Sequence, residues 1–374
     1  MTTIVRNEST GPLPDGFKTS PKPLELHEKL PHYAPTPLVD APSIAERLGL
    51  SRVLVKDESQ RFGMPSFKLL GASWATYQAL INYIGRDPAP WVDIDGLREQ
   101  VAPLRPFTLA AATDGNHGRA VARMAKLLGF EAKIFVPAGT TQARIDGIES
   151  EGASCTIFDG DYDGTVARSA EEASDRCLVI DDTSWPGYED IPRWVAEGYA
   201  TIFYEIDETP DVVFVPLGVG ALGAAATDFY KRAAGKTDPT IVGVEPETCA
   251  SVLASIRKGE LVTVPGPHPS MMAGLNCGTP SPVAFPTLKA GLDWCVAVED
   301  SYAEAAMRTL AECGITSGET GAAALAGLEA VMISMTSSNP LQLGKETTAL
   351  VISTEGATDP AAYERIVGRK PVED

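Results

Sequence analysis

Short apolar runs alternate with helical segments along most of this chain, and this alternation constrains its fold more than any other feature. The apolar runs lie at 52–56, 107–112, 133–136, 155–158, 177–181, 212–216, 241–245 and 349–353. Segments with helical patterns, at 117–128, 142–151 and 165–176, separate several of them. Strands that alternate with helices form crossover units, and such units build mainly parallel sheets. The sequence therefore predicts an α/β fold with mainly parallel sheets flanked by helices.

Length and composition indicate how the chain is organised. Its 374 residues exceed one ordinary core, so two lobes are expected. Hydrophobic residues make up 44% and charged residues 22%, a globular composition that excludes disordered, collagen-like and disulfide-scaffold proteins. The opening segment has seven prolines between residues 12 and 37, which predicts an extended arm on the body of the protein.

The charge balance and the rare residues exclude several classes of function. A net charge of -19 gives an electric field of the wrong sign for nucleic acid or an anionic membrane. Six cysteines without C-x-x-C spacing and four histidines without metal-ligand spacing predict no metal site. The first residues lack the apolar core of a signal peptide, and no apolar run is long enough to span a membrane. We therefore expect a cytoplasmic protein that binds neither nucleic acid nor membrane.

A glycine-rich segment follows the apolar run at 212–216. Its residues are Gly218, Val219, Gly220, Ala221, Leu222 and Gly223. They fit G-x-G-x-x-G, and Glu245 ends the next apolar run, as a dinucleotide site requires. However, glycine amides at a helix N-terminus suit any phosphate group. The segment alone leaves open a nicotinamide site, another phosphate site and a tight turn without a ligand.

Three further side chains have both a functional and an ordinary interpretation. Lys68 lies between apolar neighbours, and desolvation there would depress its pKa and make it a nucleophile toward carbonyls. A solvated surface lysine is the ordinary alternative. Asp114 and Asp182 follow apolar runs, at the sheet edge where ligands bind in open α/β folds. Their alternatives are an Asx-turn for Asp114 and a helix N-cap for Asp182.

Several motifs occur together in a specific order. These are S-F-K at 66–68, T-D-G-N-H-G at 113–118, the glycine segment, and I-S-T-E-G at 352–356. In this order they resemble the fold-type II (tryptophan synthase β-like) pyridoxal phosphate enzymes, which include the threonine and serine dehydratases. Further segments, among them K-D-E-S-Q-R-F-G, D-T-S-W-P-G-Y and M-A-G-L-N-C-G, are similar to the diaminopropionate ammonia-lyase family. A nicotinamide site would leave Lys68 and the Asn116 segment unexplained.

The resemblance implies pyridoxal 5'-phosphate as cofactor and a role for each motif. Lys68 would form the Schiff base with it, Asn116 would bond its phenolic oxygen, and Ser353 would face its ring nitrogen, with Thr354 as the alternate. The amides of Gly218, Val219, Gly220, Ala221, Leu222 and Gly223 would hold its phosphate. Asp114 and Asp182 would act as acid and base on the substrate. Carboxylates on different sides of the substrate would account for the use of both D and L isomers.

The activity implied is α,β-elimination of 2,3-diaminopropionate, D, L or both, to pyruvate and two molecules of ammonia. The main alternative is a dehydratase of serine, threonine or 3-hydroxyaspartate, which uses the same cofactor. A β-replacement synthase, a non-catalytic binding module and an NAD-dependent dehydrogenase are more remote. The resemblance also implies a large cofactor-binding lobe of 1–75 and 193–374, a small inserted lobe of 76–192, and a homodimer. The leaving group depends on the shape of the site and is not set by these motifs.

Overall fold

The apolar runs form the strands of two separate sheets. The computed structural model describes residues 2–160, 162–232, 238–334 and 340–372. The chain divides into two compact units. The first consists of Met1–Thr19, Pro35–Gln60 and Ile202–Asp374, and the second consists of Ser20–Ala34 and Arg61–Thr201. The predicted α/β fold is confirmed.

Strands and helices alternate along the described chain. The strands are β1 Thr3–Arg6, β2 Leu38–Asp40, β3 Arg52–Asp57, β4 Thr108–Ala112, β5 Glu131–Pro137, β6 Ser154–Phe158, β7 Cys177–Val179, β8 Val212–Pro216, β9 Thr240–Pro246, β10 Trp294–Val298 and β11 Thr348–Ser353. The helices are α1 Lys22–His27, α2 Pro42–Leu48, α3 Lys68–Ile84, α4 Ile94–Val101, α5 Asn116–Leu128, α6 Gln142–Glu149, α7 Tyr162–Ala170, α8 Asp190–Gly198, α9 Thr201–Tyr204, α10 Ala221–Arg232, α11 Ser251–Lys258, α12 Phe285–Gly291, α13 Asp300–Glu312, α14 Ala323–Ser334 and α15 Pro360–Val367.

The first unit is built on a seven-stranded sheet with the order β1-β10-β9-β8-β11-β3-β2. Its five inner strands run parallel, and both edge strands, β1 and β2, are antiparallel to their neighbours. Val351 of β11 lies opposite Val55 on one side and Phe214 on the other, and all three are buried. Strands buried on both faces read as continuous apolar runs, which is why the sequence reveals them.

The second unit contains a four-stranded parallel sheet with the order β6-β5-β4-β7. Two of its helices, α3 and α8, pack backbone to backbone. A Cβ atom added to Gly198 would lie 2.4 Å from the Leu70 carbonyl oxygen, and one added to Gly71 would lie 2.5 Å from the Tyr199 ring. Only glycine permits this approach, which fixes the first turn of α3, where Lys68 lies.

The packing of α3 on α8 also explains the boundaries of this unit. Its main segment, Arg61–Thr201, extends beyond both ends of the 76–192 lobe that the sequence predicts, and it is joined by Ser20–Ala34. Helix α3 begins before residue 76 and α8 ends after residue 192. A lobe of 76–192 would cut both helices, whereas the longer segment Arg61–Thr201 keeps both of them whole in one unit. The assignment of cofactor binding to one lobe stays a prediction.

Several elements differ from their predicted extents. The helix predicted at 165–176 begins earlier, at Tyr162, and ends at Ala170, and the strand predicted at 177–181 ends at Val179. The proline-rich opening contains α1, whose first turn includes Pro23, a position where a missing N–H costs nothing. None of the described helices combines the length and apolar character needed to cross a membrane.

Candidate active site

Lys68 lies at the first position of α3 and forms a short ion pair. Its Nζ lies 2.7 Å from Oδ2 of Asp182, and the two side chains are 18% and 7% exposed. Burial lowers the pKa of Lys68. The Asp182 carboxylate and, to a lesser extent, Tyr199 and Asp114 raise this pKa by more than burial lowers it. The net pKa is well above the ordinary value for lysine. The predicted depression of this pKa is therefore wrong, because the sequence does not reveal a carboxylate so far along the chain.

Asp182 lies just beyond β7 and has three polar neighbours. Besides Lys68, the Tyr162 hydroxyl donates to Oδ1 at 3.2 Å, and Nδ1 of His117 lies 4.0 Å from Oδ2. Burial raises the pKa of Asp182, but the charge of Lys68 and the bonds from Lys68 and Tyr162 lower it by more. The pKa thus falls below the usual range for a carboxyl, and Asp182 is an anion at neutral pH. The helix N-cap alternative does not apply, since α8 begins only at Asp190.

His117 is held as a neutral imidazole beside Asp182. Its Nε2 donates to the Ile180 carbonyl at 2.6 Å, so Nδ1 carries the lone pair. Burial lowers the pKa of His117, and the nearby Asp182 carboxylate only partly opposes this. Among the described residues, Nδ1 has no hydrogen-bond partner. His117 is thus a proton acceptor next to the ion pair, a role that the sequence did not assign to it.

Asp114 lies in the turn between β4 and α5, and Asn116 is the first residue of α5. The Thr113 hydroxyl accepts the N–H groups of Gly115 and Gly118 at 2.8 and 3.0 Å, and Gly115 has a φ of 145°, which favours glycine. The side chain of Asp114 is 24% exposed, and its Oδ2 lies 3.6 Å from the Arg144 guanidinium. Since β4 pairs with β7, Asp114 and Asp182 follow neighbouring strands of one sheet.

The glycine segment of the first unit joins β8 to α10. Gly220 has a φ of 95°, and a Cβ atom there would lie 2.6 Å from the Leu288 side chain. A Cβ atom at Gly218 would lie 2.9 Å from the Gly274 carbonyl oxygen. The N–H groups of the first turn of a helix have no intrahelical acceptor, so the start of α10 offers donors to an anion. This cradle fits the phosphate of pyridoxal phosphate.

Glu245 excludes the dinucleotide interpretation of that segment. Its two carboxylate oxygens accept the N–H groups of Val252 and Leu253, each at 2.8 Å, at the start of α11. The side chain is 1% exposed, and burial raises its pKa to about 8 although these bonds lower it. A buried carboxyl group whose two oxygens bond the start of a helix is not available to bind a ribose. The apparent match to the dinucleotide motif is thus a structural cap.

This burial predicts a stability difference that depends on pH. The pKa of Glu245 is about 8 in the folded protein and near the ordinary value of 4.5 when unfolded, so the folded state binds the proton more tightly. Its contribution to stability is present below the unfolded pKa and is lost as the pH rises toward 8. We therefore expect the free energy of unfolding of Glu245→Gln to rise by several kcal/mol relative to that of the wild type as the pH is raised from about 5 to about 8.

Urea unfolding of both proteins at several pH values measures this difference. The amide that Glu245→Gln introduces would still leave one N–H without an acceptor, which adds a constant loss of about 1–3 kcal/mol. The exposed Glu247, two residues away, provides the control variant Glu247→Gln. Parallel pH profiles for Glu245→Gln and the wild type would contradict the assignment.

The end of β11 carries a group of buried hydroxyls. Ser353 donates to the Ser317 hydroxyl at 2.9 Å, and both residues are buried. The Thr354 hydroxyl is also buried and has no hydrogen-bond partner among the described residues. A buried hydroxyl without a partner costs free energy unless a ligand satisfies it. These residues therefore fit a polar ligand atom such as the ring nitrogen of pyridoxal phosphate.

Comparison with known proteins identifies the family. Residues 29–354 match the model of the family "Pyridoxal-phosphate dependent enzyme". The chain belongs to this family. It is 36% identical to diaminopropionate ammonia-lyase of Escherichia coli strain K12, over 96% of this chain and 94% of that protein. Diaminopropionate ammonia-lyase of Salmonella typhimurium strain LT2 is 34% identical over 92% of this chain and 90% of its own length.

Solved structures of family members have the same fold. Diaminopropionate ammonia lyase from Escherichia coli in complex with D-serine has a TM-score of 0.89 and 34% identity, and the match covers 98% of this chain and 97% of that chain. The same enzyme with an aminoacrylate-PLP azomethine reaction intermediate has a TM-score of 0.86 and 33% identity, with 98% and 97% covered. The resemblance to the fold-type II enzymes and the pyridoxal phosphate cofactor are confirmed.

The structure thus brings together some predicted residues and adds others. Within the second unit it joins Lys68 to Asp182 and adds Tyr162, His117 and Tyr199, whose ring centre lies 5.9 Å from Lys68 Nζ. The histidine of T-D-G-N-H-G was the available signal for His117. For Tyr199 the signal was the segment I-P-R-W-V-A-E-G-Y-A-T at 191–201, which is similar to the family but was given no role in the site.

Proposed function

We propose that this chain catalyses the α,β-elimination of 2,3-diaminopropionate, D, L or both, to pyruvate and two molecules of ammonia. The observation that carries this proposal is the buried ion pair of Lys68 and Asp182 beside a neutral His117. It places a lysine, an anionic carboxylate and a free imidazole lone pair within one small site. The sequence similarity to two diaminopropionate ammonia-lyases supports the choice of substrate.

We propose the following roles toward the cofactor. Lys68 attaches it covalently, Asn116 bonds its phenolic oxygen, and Ser353 or Thr354 faces its ring nitrogen. The amides of the glycine segment, from Gly218 to Gly223, bind its phosphate. When bound, pyridoxal phosphate supplies an electron-withdrawing ring that stabilises negative charge at the α-carbon. A hydroxyl partner leaves the ring nitrogen mostly neutral, which favours elimination over transamination.

The side chains of the second unit supply the proton transfers. Removal of the α-proton needs a base, and the β-amino group leaves only when it is protonated. Oδ2 of Asp182 is an anionic acceptor, and Nζ of Lys68 is a charged donor at 2.7 Å from it. Nδ1 of His117 is a second acceptor at 4.0 Å from Asp182. Asp182 thus has a proton donor, Lys68, and a proton acceptor, His117, next to it.

Asp114 is the second acid–base candidate, and its surroundings differ from those of Asp182. Its carboxylate lies near the Arg144 guanidinium, whereas Asp182 contacts an amine and a phenol. Two carboxylates on neighbouring strand ends, each with its own partners, are a basis for accepting both isomers. We propose that the isomer decides which of the two removes the α-proton. A homodimeric assembly and a cytoplasmic location remain predictions.

Product analysis tests this function. Ammonia and pyruvate are measured after incubation of the holoenzyme with D- and L-2,3-diaminopropionate, with serine, threonine and 3-hydroxyaspartate alongside. We expect two molecules of ammonia for each pyruvate from at least one isomer of the diamino acid. One ammonia for each keto acid, from a hydroxy amino acid only, would overturn the proposal and identify a dehydratase.

A further inference from the structure

Asp181 is a buried carboxylate next to Asp182 to which the sequence motifs assign no role. It is 1% exposed, and burial raises its pKa to about 7, although bonds from Ser169 and Ala112 lower it. The negative charge of Asp182 raises this pKa slightly more. A buried carboxylate beside another carboxylate costs stability, which a neutral residue would avoid. The contacts of Asp181 indicate which structural role offsets this loss of stability.

The side chain of Asp181 connects three elements of the second unit. Its Oδ1 accepts the N–H of Ala112, at the end of β4, at 2.7 Å. Its Oδ2 accepts the hydroxyl of Ser169, on α7, also at 2.7 Å. Asp181 itself follows β7, and its own N–H donates to the Tyr188 hydroxyl at 2.9 Å. Both carboxylate oxygens are therefore used within the fold.

The bond to Ala112 replaces a backbone bond at the point where two strands separate. The ladder between β4 and β7 ends with the Ile180 N–H, which donates to the Ala110 carbonyl at 2.8 Å. A continued parallel ladder would pair the Ala112 N–H with the Ile180 carbonyl. That carbonyl instead accepts Nε2 of His117, and the Ala112 N–H donates to Asp181. The carboxylate thus satisfies Ala112 and leaves the Ile180 carbonyl to orient His117.

Each of the three connected elements carries a residue of the active site. Asp114 lies two residues beyond Ala112, and Asp182 directly follows Asp181. Helix α7 begins with Tyr162, whose hydroxyl donates to Asp182 at 3.2 Å. A change in the Asp181 side chain is therefore expected to displace Asp114, Asp182 and the Tyr162 hydroxyl that donates to Asp182.

We propose that Asp181 is a positioning residue for the reaction: its carboxylate fixes the ends of β4 and β7 and the helix α7 relative to one another, and so sets the places of Asp114, Tyr162 and Asp182. The inference rests on the proposed function, because it concerns the same acid–base groups. A displacement of about 1 Å at such groups costs about a hundredfold in rate.

Variants of Asp181 and Ser169 test the proposal. Asp181→Ala removes both bonds and is expected to lower kcat about tenfold or more, with KM changed less than about threefold. Asp181→Asn keeps an acceptor for Ala112 and should recover most of the lost kcat, and Ser169→Ala should show a smaller loss than Asp181→Ala. The exposed Asp175, near the other end of β7, provides the control Asp175→Ala, for which kcat is expected to equal that of the wild type.

A double-mutant cycle separates positioning from a general loss of stability. In an Asp182→Asn background, and with the isomer that this change slows more, Asp181→Ala should change kcat by less than about threefold. A residue that only stabilises the fold would instead give independent effects that multiply. If Asp181→Ala does not fold, the same cycle with Ser169→Ala gives the answer, since that variant keeps the carboxylate and its bond to Ala112.

The outcomes distinguish this inference from the proposed function. If the wild type does not release pyruvate from 2,3-diaminopropionate, the proposed function is wrong, and the cycle is measured with the amino acid that it does turn over. Equal kcat for the wild type, Asp181→Ala and Ser169→Ala would overturn the role of Asp181. Independent effects in the cycle would overturn it too. A loss in kcat that disappears in the Asp182→Asn background supports it.

Discussion

The Lys68→Ala variant is expected to lose at least about a thousandfold in turnover of 2,3-diaminopropionate, because it removes the amine that attaches the cofactor and donates a proton at Asp182. Borohydride reduction followed by mass spectrometry of the peptides measures the attachment directly. In the wild type we expect a reduced cofactor adduct on the peptide that contains Lys68. In the variant we expect no adduct at this position, even when the cofactor is present in excess.

The same substitution is expected to destabilise the protein without bound cofactor. It leaves the Asp182 carboxylate, which is 7% exposed, without its cation, and uncompensated buried charges cost about 3–5 kcal/mol. The double variant Lys68→Ala with Asp182→Asn removes both charges and should recover part of this loss in urea unfolding. Lys258, whose side chain is 62% exposed, provides the control Lys258→Ala. Full turnover by Lys68→Ala would overturn the assignment of this lysine.

The Asp182→Asn variant should show the second largest effect. Loss of the anionic acceptor removes acid–base catalysis of at least one isomer, which typically costs about a hundredfold or more in kcat. The pKa of Lys68 in the cofactor-free protein should also fall, because burial lowers it and the carboxylate that opposed burial is gone. Cofactor uptake by the cofactor-free variant, followed by absorbance at several pH values, should therefore reach its maximum at lower pH than in the wild type.

Asp114→Asn is the matched comparison for this variant. Both substitutions remove one carboxylate from a strand end of the same sheet, but only Asp182 contacts Lys68 directly. We expect the two variants to differ in the ratio of turnover of the D and L isomers, since the two groups have different surroundings. Unchanged kcat of Asp182→Asn with both isomers would show that Asp182 takes no part in proton transfer.

Most of the buried parallel strands could be predicted from the sequence, whereas the two edge strands of the seven-stranded sheet could not. Strand β8 is apolar throughout and β11 is apolar from residue 349 to residue 352, because both of their faces are covered. The edge strands β1 and β2 are short and partly exposed, so they have no such pattern. Strand β10 follows a short helix, and it became recognisable only through its pairing with β9. The order of the strands depends on long-range pairing, which a local pattern does not contain.

The same distinction applies to the site. Lys68 and Asp182 were each assigned to the site through the family resemblance of the motifs around them, but their ion pair joins positions far apart in the chain. The sequence therefore suggested a pKa for Lys68 that was wrong in direction. Glu245 shows the converse, since its spacing suited a ribose and its actual partners are the amides of the next helix. In both cases the pKa and the role of an ionisable side chain depend on its partner in the fold. A sequence motif does not show which residue that partner is.

The strand order of the first unit has a consequence for synthesis of the protein on the ribosome. Strand β11, at Thr348–Ser353, lies between β8 and β3, so the sheet lacks an inner strand until the last part of the chain emerges. The second unit, by contrast, is complete once Thr201 has been made. Because domains fold as their sequence becomes available, the unit with Lys68 and Asp182 is expected to fold first. A chain terminated before residue 348 would then carry a folded second unit, while the sheet of its first unit would have an open apolar gap between β8 and β3.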